Sequence, residues 1–288
     1  KYGMSGWRID VGNMTGRLGE DDLHDEVMRG IRTAMDEVKP DAWLVAENGD
    51  FVASDLNGFG WHGAMNYQGF MRPVWNWINQ NSSIGGGFQG LPFEMPKIGG
   101  KSLVASMVQF SSSIPWRSLV ASMVLLDSHD TARMRTVVNG DKKAHLSAMT
   151  AMLTYPGVPS IFAGDEIGLE GSWGEDSRRT INWEDRSGWD HDFLAEAKKL
   201  IELRRTQDGL IEGGLRWVAV EDNFICYLRE SEKQSVLVFI SRKAVRTEID
   251  LADYGYKVSK TLYGPEATGG SIKIDADGAT QGIWEVKS

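Results

Sequence analysis

Gly6-Trp7-Arg8-Ile9-Asp10-Val11 is a short apolar run that ends on a carboxylate. The same arrangement returns at Trp43-Leu44-Val45-Ala46-Glu47 and at Leu125-Leu126-Asp127-Ser128-His129-Asp130. In a parallel α/β barrel such runs are buried strands, and the residues at their C-terminal ends line the mouth where chemistry occurs. Acids gathered at one rim can divide protonated and ionised roles between them, as glycoside cleavage asks of its acid and its nucleophile.

A lone acid after an apolar run is more often a helix N-cap or a turn residue, its carboxylate accepting from free backbone amides. The ordered set outweighs that reading. Arg8 precedes Asp10 by two residues, so it projects to the same strand face, where its guanidinium can hold the carboxylate ionised and oriented. His129 stands directly before Asp130.

These segments resemble the conserved regions of the α-amylase superfamily of glycoside hydrolases. Gly6 to Val11 is similar to the nucleophile strand, Ala46-Glu47-Asn48 to the acid/base strand, and Ser128-His129-Asp130-Thr131 to the strand of the third acid, in the family's order. Ile161-Phe162-Ala163-Gly164-Asp165-Glu166-Ile167-Gly168 resembles the eighth strand and its exit. The resemblance implies Asp10 as nucleophile, Glu47 as acid/base, and Asp130 with His129 on the hydroxyls of the reacting sugar. Arg8, Asn13 and Arg133 join His129 as substrate-binding candidates. No residue is assigned to a metal.

Composition agrees with a sugar enzyme. The 288 residues are 41% hydrophobic, enough for one large domain and a small one, and carry a formal charge of −9. An acidic surface disfavours nucleic acid and anionic membrane as partners. No apolar run approaches the ~20 residues of a membrane span. Cys226 is the only cysteine, which excludes an intrachain disulfide and reads as a small core residue. Eleven tryptophans are a high proportion; Trp61, Trp75, Trp77 and Trp173, near strand ends, are candidates for stacking on sugar faces.

Strand and helix signals alternate through the first two thirds. Strands are expected at Gly6 to Val11, Ala42 to Glu47, Gly63 to Tyr67, Val124 to Ser128 and Ser160 to Gly164. Helices are expected at Asp22 to Met35, Phe70 to Asn79, Lys101 to Ser111, Lys142 to Thr154 and Asp192 to Thr206. Gly85-Gly86-Gly87 and Gly99-Gly100 flank a loop read as a connection over a sugar cleft. After about Gly209 short alternating runs, from Leu215 to Val220 through Ile283 to Val286, predict a small antiparallel β domain.

The fold class that follows is α/β: residues 1–208 as strands four to eight of a (β/α)8 TIM barrel, and residues 209–288 as a β-sandwich. Five strands cannot close an eight-stranded barrel. The chain, opening at Lys1-Tyr2-Gly3, is expected to be the later part of a longer protein. Its implied partners are a missing N-terminal barrel segment and an α-glucan or malto-oligosaccharide. No cofactor is expected, calcium being left to the missing segment, and an oligomer is left open. Compartment is undetermined, with the cytoplasm preferred to secretion.

Many α-amylases carry Lys-His where this chain has Asn13 and Met14. Asn13, and the stretch Leu125 to Arg133, resemble instead the neopullulanase and cyclomaltodextrinase branch, which has Glu in place of Met14. The function implied is retaining hydrolysis of α-1,4 or α-1,6 glucosidic bonds. A transglycosylase with the same acids, and a non-catalytic glycan-binding or scaffold module, are the alternatives. The isolated chain is expected to show little or no turnover.

Overall fold

The computed structural model describes residues 3–80, 95–172 and 174–288. It falls into two compact units, one of residues Lys1–Pro73, Ala105–Leu125 and Gly157–Ser160, the other of Val74–Val104, Leu126–Pro156 and Ile161–Ser288.

The first unit is built on parallel strands. β1 (Gly6–Ile9) leads through the small β2–β3 hairpin (Arg17–Leu18, Asp21–Asp22) and helix α1 (His24–Val38) to β4 (Trp43–Ala46). β1 and β4 pair in parallel, Gly6 opposite Trp43 and Ile9 opposite Ala46. β5 (Gly63–Ala64) lies parallel on the far side of β4. After α2 (Arg72–Ile78), α3 (Gly100–Ser112) and α4 (Trp116–Ala121), β6 (Met123–Leu125) and β7 (Val158–Ser160) form another parallel pair. A parallel bridge from Met65 to Met123 carries the ladder from β5 to β6.

Burial explains the composition of these strands. Leu44, Val45 and Ala46 are fully covered, as expected where helices cover a parallel sheet. At Gly63 a Cβ would stand 2.4 Å from the Ala121 carbonyl oxygen, so only glycine lets β5 pass the end of α4. Among the described residues no strand pairs with the outer edge of β1. An apolar groove of about 660 Å³, lined by Met4, Trp7, Ile9, Ile31, Met35 and Leu44 among others, runs beside it.

The second unit holds α5 (Met134–Val137), α6 (Lys142–Thr154), α7 (His191–Thr206) and α8 (Asp208–Glu212). Asp141 caps α6 by accepting the Ala144 amide at 3.0 Å, and Asp190 caps α7 by accepting that of Phe193 at 3.3 Å. Seven strands follow: β8 (Gly214–Glu221), β9 (Phe224–Glu230), β10 (Ser235–Ser241), β11 (Val245–Asp250), β12 (Lys257–Tyr263), β13 (Ser271–Ala276) and β14 (Gln281–Lys287). Five form an antiparallel sheet in the order β12-β14-β10-β9-β8, and β11 pairs with β13. One buried cluster joins Cys226, Leu228, Leu237, Phe239 and Trp284 of the larger sheet to Ile249, Ile272 and Ile274 of the smaller.

Several elements depart from expectation. The strand placed at Ser160 to Gly164 lies earlier, at Val158–Ser160, because Gly164, at φ 109°, takes the chain into a tight turn in which the Asp165 amide reaches the Phe162 carbonyl at 3.0 Å. The strand expected through Tyr67 stops at Ala64. There Asn66 accepts the Gly69 amide at 2.9 Å and opens a π-helical turn, Tyr67–Met71, ahead of α2. β13 was not among the expected strands, although Ile272 and Ile274 alternate with polar residues and enter the core. Trp61, Trp75 and Trp77 are buried, and the indoles of Trp75 and Trp77 donate to the carbonyls of Leu126 and Asp222, so all three pack the interior and offer no face to a sugar. Trp173 and the Gly85-Gly86-Gly87 loop lie outside the described residues.

Candidate active site

Asp10 and Glu47 each follow directly on a paired residue, Ile9 opposite Ala46, and therefore emerge side by side from the same end of β1 and β4. The Glu47 amide donates to the Ile9 carbonyl at 2.9 Å. Arg8 bridges the two acids. Its Nη1 lies 2.5 Å from Asp10 Oδ1 and its Nη2 2.8 Å from Glu47 Oε2. The approach to Glu47 is a close ion pair without hydrogen-bond alignment. The two carboxylates differ in access: the Asp10 side chain is 75% exposed, that of Glu47 only 15%.

The chain leaves Asp10 through a left-handed turn. Val11 sits at φ 43°, ψ 48°, an outlier for a β-branched residue and a strain of about 1–3 kcal/mol. Its amide donates to Glu47 Oε2 at 2.9 Å. At Gly12 a Cβ would stand 2.7 Å from the Ala46 Cβ, so glycine is required for this close approach. Asn13 does not reach the acids; its amide donates to Asp50 Oδ2 at 3.2 Å.

In the second unit Asp130 is held by an imidazole and a guanidinium. His129 Nε2 lies 3.3 Å from its Oδ2, and Arg178 Nη2 3.0 Å from its Oδ1. Arg178 also donates from Nε to the His129 carbonyl at 2.9 Å, which fixes the turn that carries both residues. An open cavity of about 460 Å³ is lined by His129, Arg133, Arg178, Arg179, Ile181 and Trp183 among others.

Arg133 itself is buried and its donors are engaged: Nη1 with Asp165 Oδ1 at 2.8 Å, Nε with the Ser177 carbonyl at 2.8 Å, Nη2 with that of Ala163 at 3.0 Å. Asp127 lies beside Asp165, also buried, and accepts the Met134 amide at 2.5 Å. Burial pushes the carboxyl of Asp127 up. Burial, and then the neighbouring Asp127, push that of Asp165 well up. Two buried acids beside one guanidinium resist joint ionisation.

Sequence reading brought Arg8 to Asp10, and the structure makes that contact. It did not find Arg178, 48 residues beyond Asp130, because a loop arginine carries no periodicity. Among the described residues no group of three or more His, Cys, Asp or Glu is placed to hold a metal ion, and no helix is long and apolar enough to cross a membrane.

The α-amylase catalytic-domain family profile matches residues 1–202. The chain belongs to the α-amylase family. Within it the chain is 30% identical over 243 residues to a cyclomaltodextrinase of a Bacillus species, covering 83% of this chain and 39% of that protein. It is 27% identical over 256 residues to an intracellular maltogenic amylase of Bacillus subtilis, covering 88% and 39%. Among solved structures, the debranching enzyme of Nostoc punctiforme superposes with a TM-score of 0.84 at 24% identity, over 98% of this chain and 58% of that one. The cyclic α-maltosyl-(1→6)-maltose hydrolase of Arthrobacter globiformis does so with a TM-score of 0.78 at 21% identity, over 98% and 56%. This member of the α-amylase family thus has part of the family's barrel fold and spans about two fifths of the length of these curated relatives.

Proposed function

We propose that this chain carries the catalytic acids of a retaining α-glucosidic hydrolase acting on α-1,4 or α-1,6 linkages of glucans or malto-oligosaccharides. The observation that carries the reading is Arg8, bridging the carboxylates of Asp10 and Glu47 at 2.5 and 2.8 Å. Retaining enzymes need two carboxyl groups about 5–5.5 Å apart, and adjacent parallel strands, ~4.8 Å apart, offer that spacing.

Asp10, the exposed carboxylate, attacks the anomeric carbon while Glu47 protonates the departing glycosidic oxygen. Glu47 then takes a proton from water, which displaces Asp10 and restores the α configuration. Arg8 aims the Asp10 carboxylate. Asp130, oriented by His129 and Arg178, holds sugar hydroxyls, contacts that tighten toward the oxocarbenium-like transition state.

In this reading the parallel strands of the first unit are strands four to eight of the barrel. The unpaired edge of β1 and its apolar groove are where the barrel's remaining strands dock, and residues 209–288 form the accompanying β domain. The test is turnover of a chromogenic maltoside by the full-length protein and its Asp10→Asn variant. A loss of about 10²-fold or more is expected, and a smaller one overturns the covalent step.

A further inference from the structure

Two consecutive amides after Asp10 turn toward a single residue: Val11 donates to Glu47 Oε2 at 2.9 Å, and Gly12 to the Glu47 carbonyl at 2.7 Å. In an extended strand successive residues face opposite sides, so this convergence requires a break in the strand. The break is the left-handed conformation of Val11.

The valine side chain gains nothing there. Val11 is 47% exposed, and a β-branched residue at positive φ persists only where the surroundings impose it. What the conformation achieves is the direction of the main-chain amide. Arg8 of β1 faces the Glu47 carboxylate directly, and Asp10, the residue after β1, is joined to it through Arg8.

We propose that Val11 is a positioning residue that straps Glu47 to the strand of Asp10 through its backbone amide, setting the carboxylate for proton transfer without touching the sugar. The functional part of this inference rests on the acid/base role proposed for Glu47; the strap itself does not.

The test follows the Val11 amide proton by NMR in valine-15N-labelled full-length protein, its resonance assigned by its loss in the Val11→Ile spectrum. The resonance is expected to move upfield on acidification in the unsubstituted and Asp10→Asn proteins and to stay in place in Glu47→Gln. A stationary resonance, or one that titrates unchanged in Glu47→Gln, overturns the strap. A second variant replaces the Val11 residue by α-hydroxyisovalerate, an ester that cannot donate. It is expected to lower kcat by roughly tenfold or more with little change in KM, and an unaltered kcat overturns the positioning role. Full activity of Asp10→Asn with a Val11 amide that still follows Glu47 would instead reject the hydrolase chemistry and leave the strap standing.

Discussion

Arg133 Nη1 lies 2.8 Å from Asp165 Oδ1, and both residues are buried. An arginine expected from sequence to reach substrate therefore ties the segment after Asp130 to the turn at Gly164–Ile167, and it stacks over the Phe162 ring at 4.0 Å. Arg133→Met should lower unfolding stability by about 3–5 kcal/mol, because it leaves a carboxylate buried without its cation. The Arg133→Met/Asp165→Asn double variant should regain part of the loss. Denaturant midpoints read both, and a single variant as stable as the parent would contradict the assignment.

The raised carboxyls of Asp127 and Asp165 give a second prediction. Above about pH 4 the unfolded chain releases protons that the raised carboxyls of the folded cluster still bind, so stability falls as pH rises from there through the raised folded range. In Asp127→Asn the amide oxygen still accepts from Met134 and the amide NH2 donates to Asp165. The variant should gain thermal stability relative to the parent as pH goes from 4 to 8. A constant difference in Tm across that range would show that these carboxyls are not raised in the folded state.

His145 acts in the opposite direction. Burial, and then Arg135, hold its imidazole neutral well below the usual histidine range; it stacks on Phe193 at 4.3 Å and accepts from Arg135 Nε at 3.1 Å. The unfolded histidine binds a proton below about pH 6.5 and the folded one does not, so acidification costs up to ~1.4 kcal/mol per pH unit. His145→Gln keeps an acceptor for Arg135 and should flatten the loss of stability between pH 7 and 5. An acid limb as steep as the parent's would place the effect elsewhere.

Arg8→Lys preserves charge but not the planar fork that meets Asp10 and Glu47 together. On the proposed chemistry the full-length variant should lose about 10²-fold or more in kcat with a smaller change in KM. An equal loss in binding and no loss in kcat would place Arg8 on the substrate instead of on the acids.

Much of the fold was legible because it depends on local patterning. α6 occupies the expected Lys142–Thr154, and the β domain begins, as expected, with a strand over Leu215 to Val220, since alternating or helically spaced apolar residues have few other ways to be buried. The register of β1 on β4, which sets Asp10 beside Glu47, followed from where each apolar run ends. Trp61, Trp75 and Trp77 were misjudged because an indole that packs and one that meets a sugar look alike in a sequence.

By itself the sequence determined the family, the parallel strands and the acids at their ends, all properties of residues close along the chain. Only the tertiary structure decided that one guanidinium joins Asp10 to Glu47, that Val11 turns its amide to Glu47, and that Arg133 is held by Asp165. These contacts join residues 32 or more apart along the chain, or hang on a single backbone dihedral, and no periodicity in the chain encodes either.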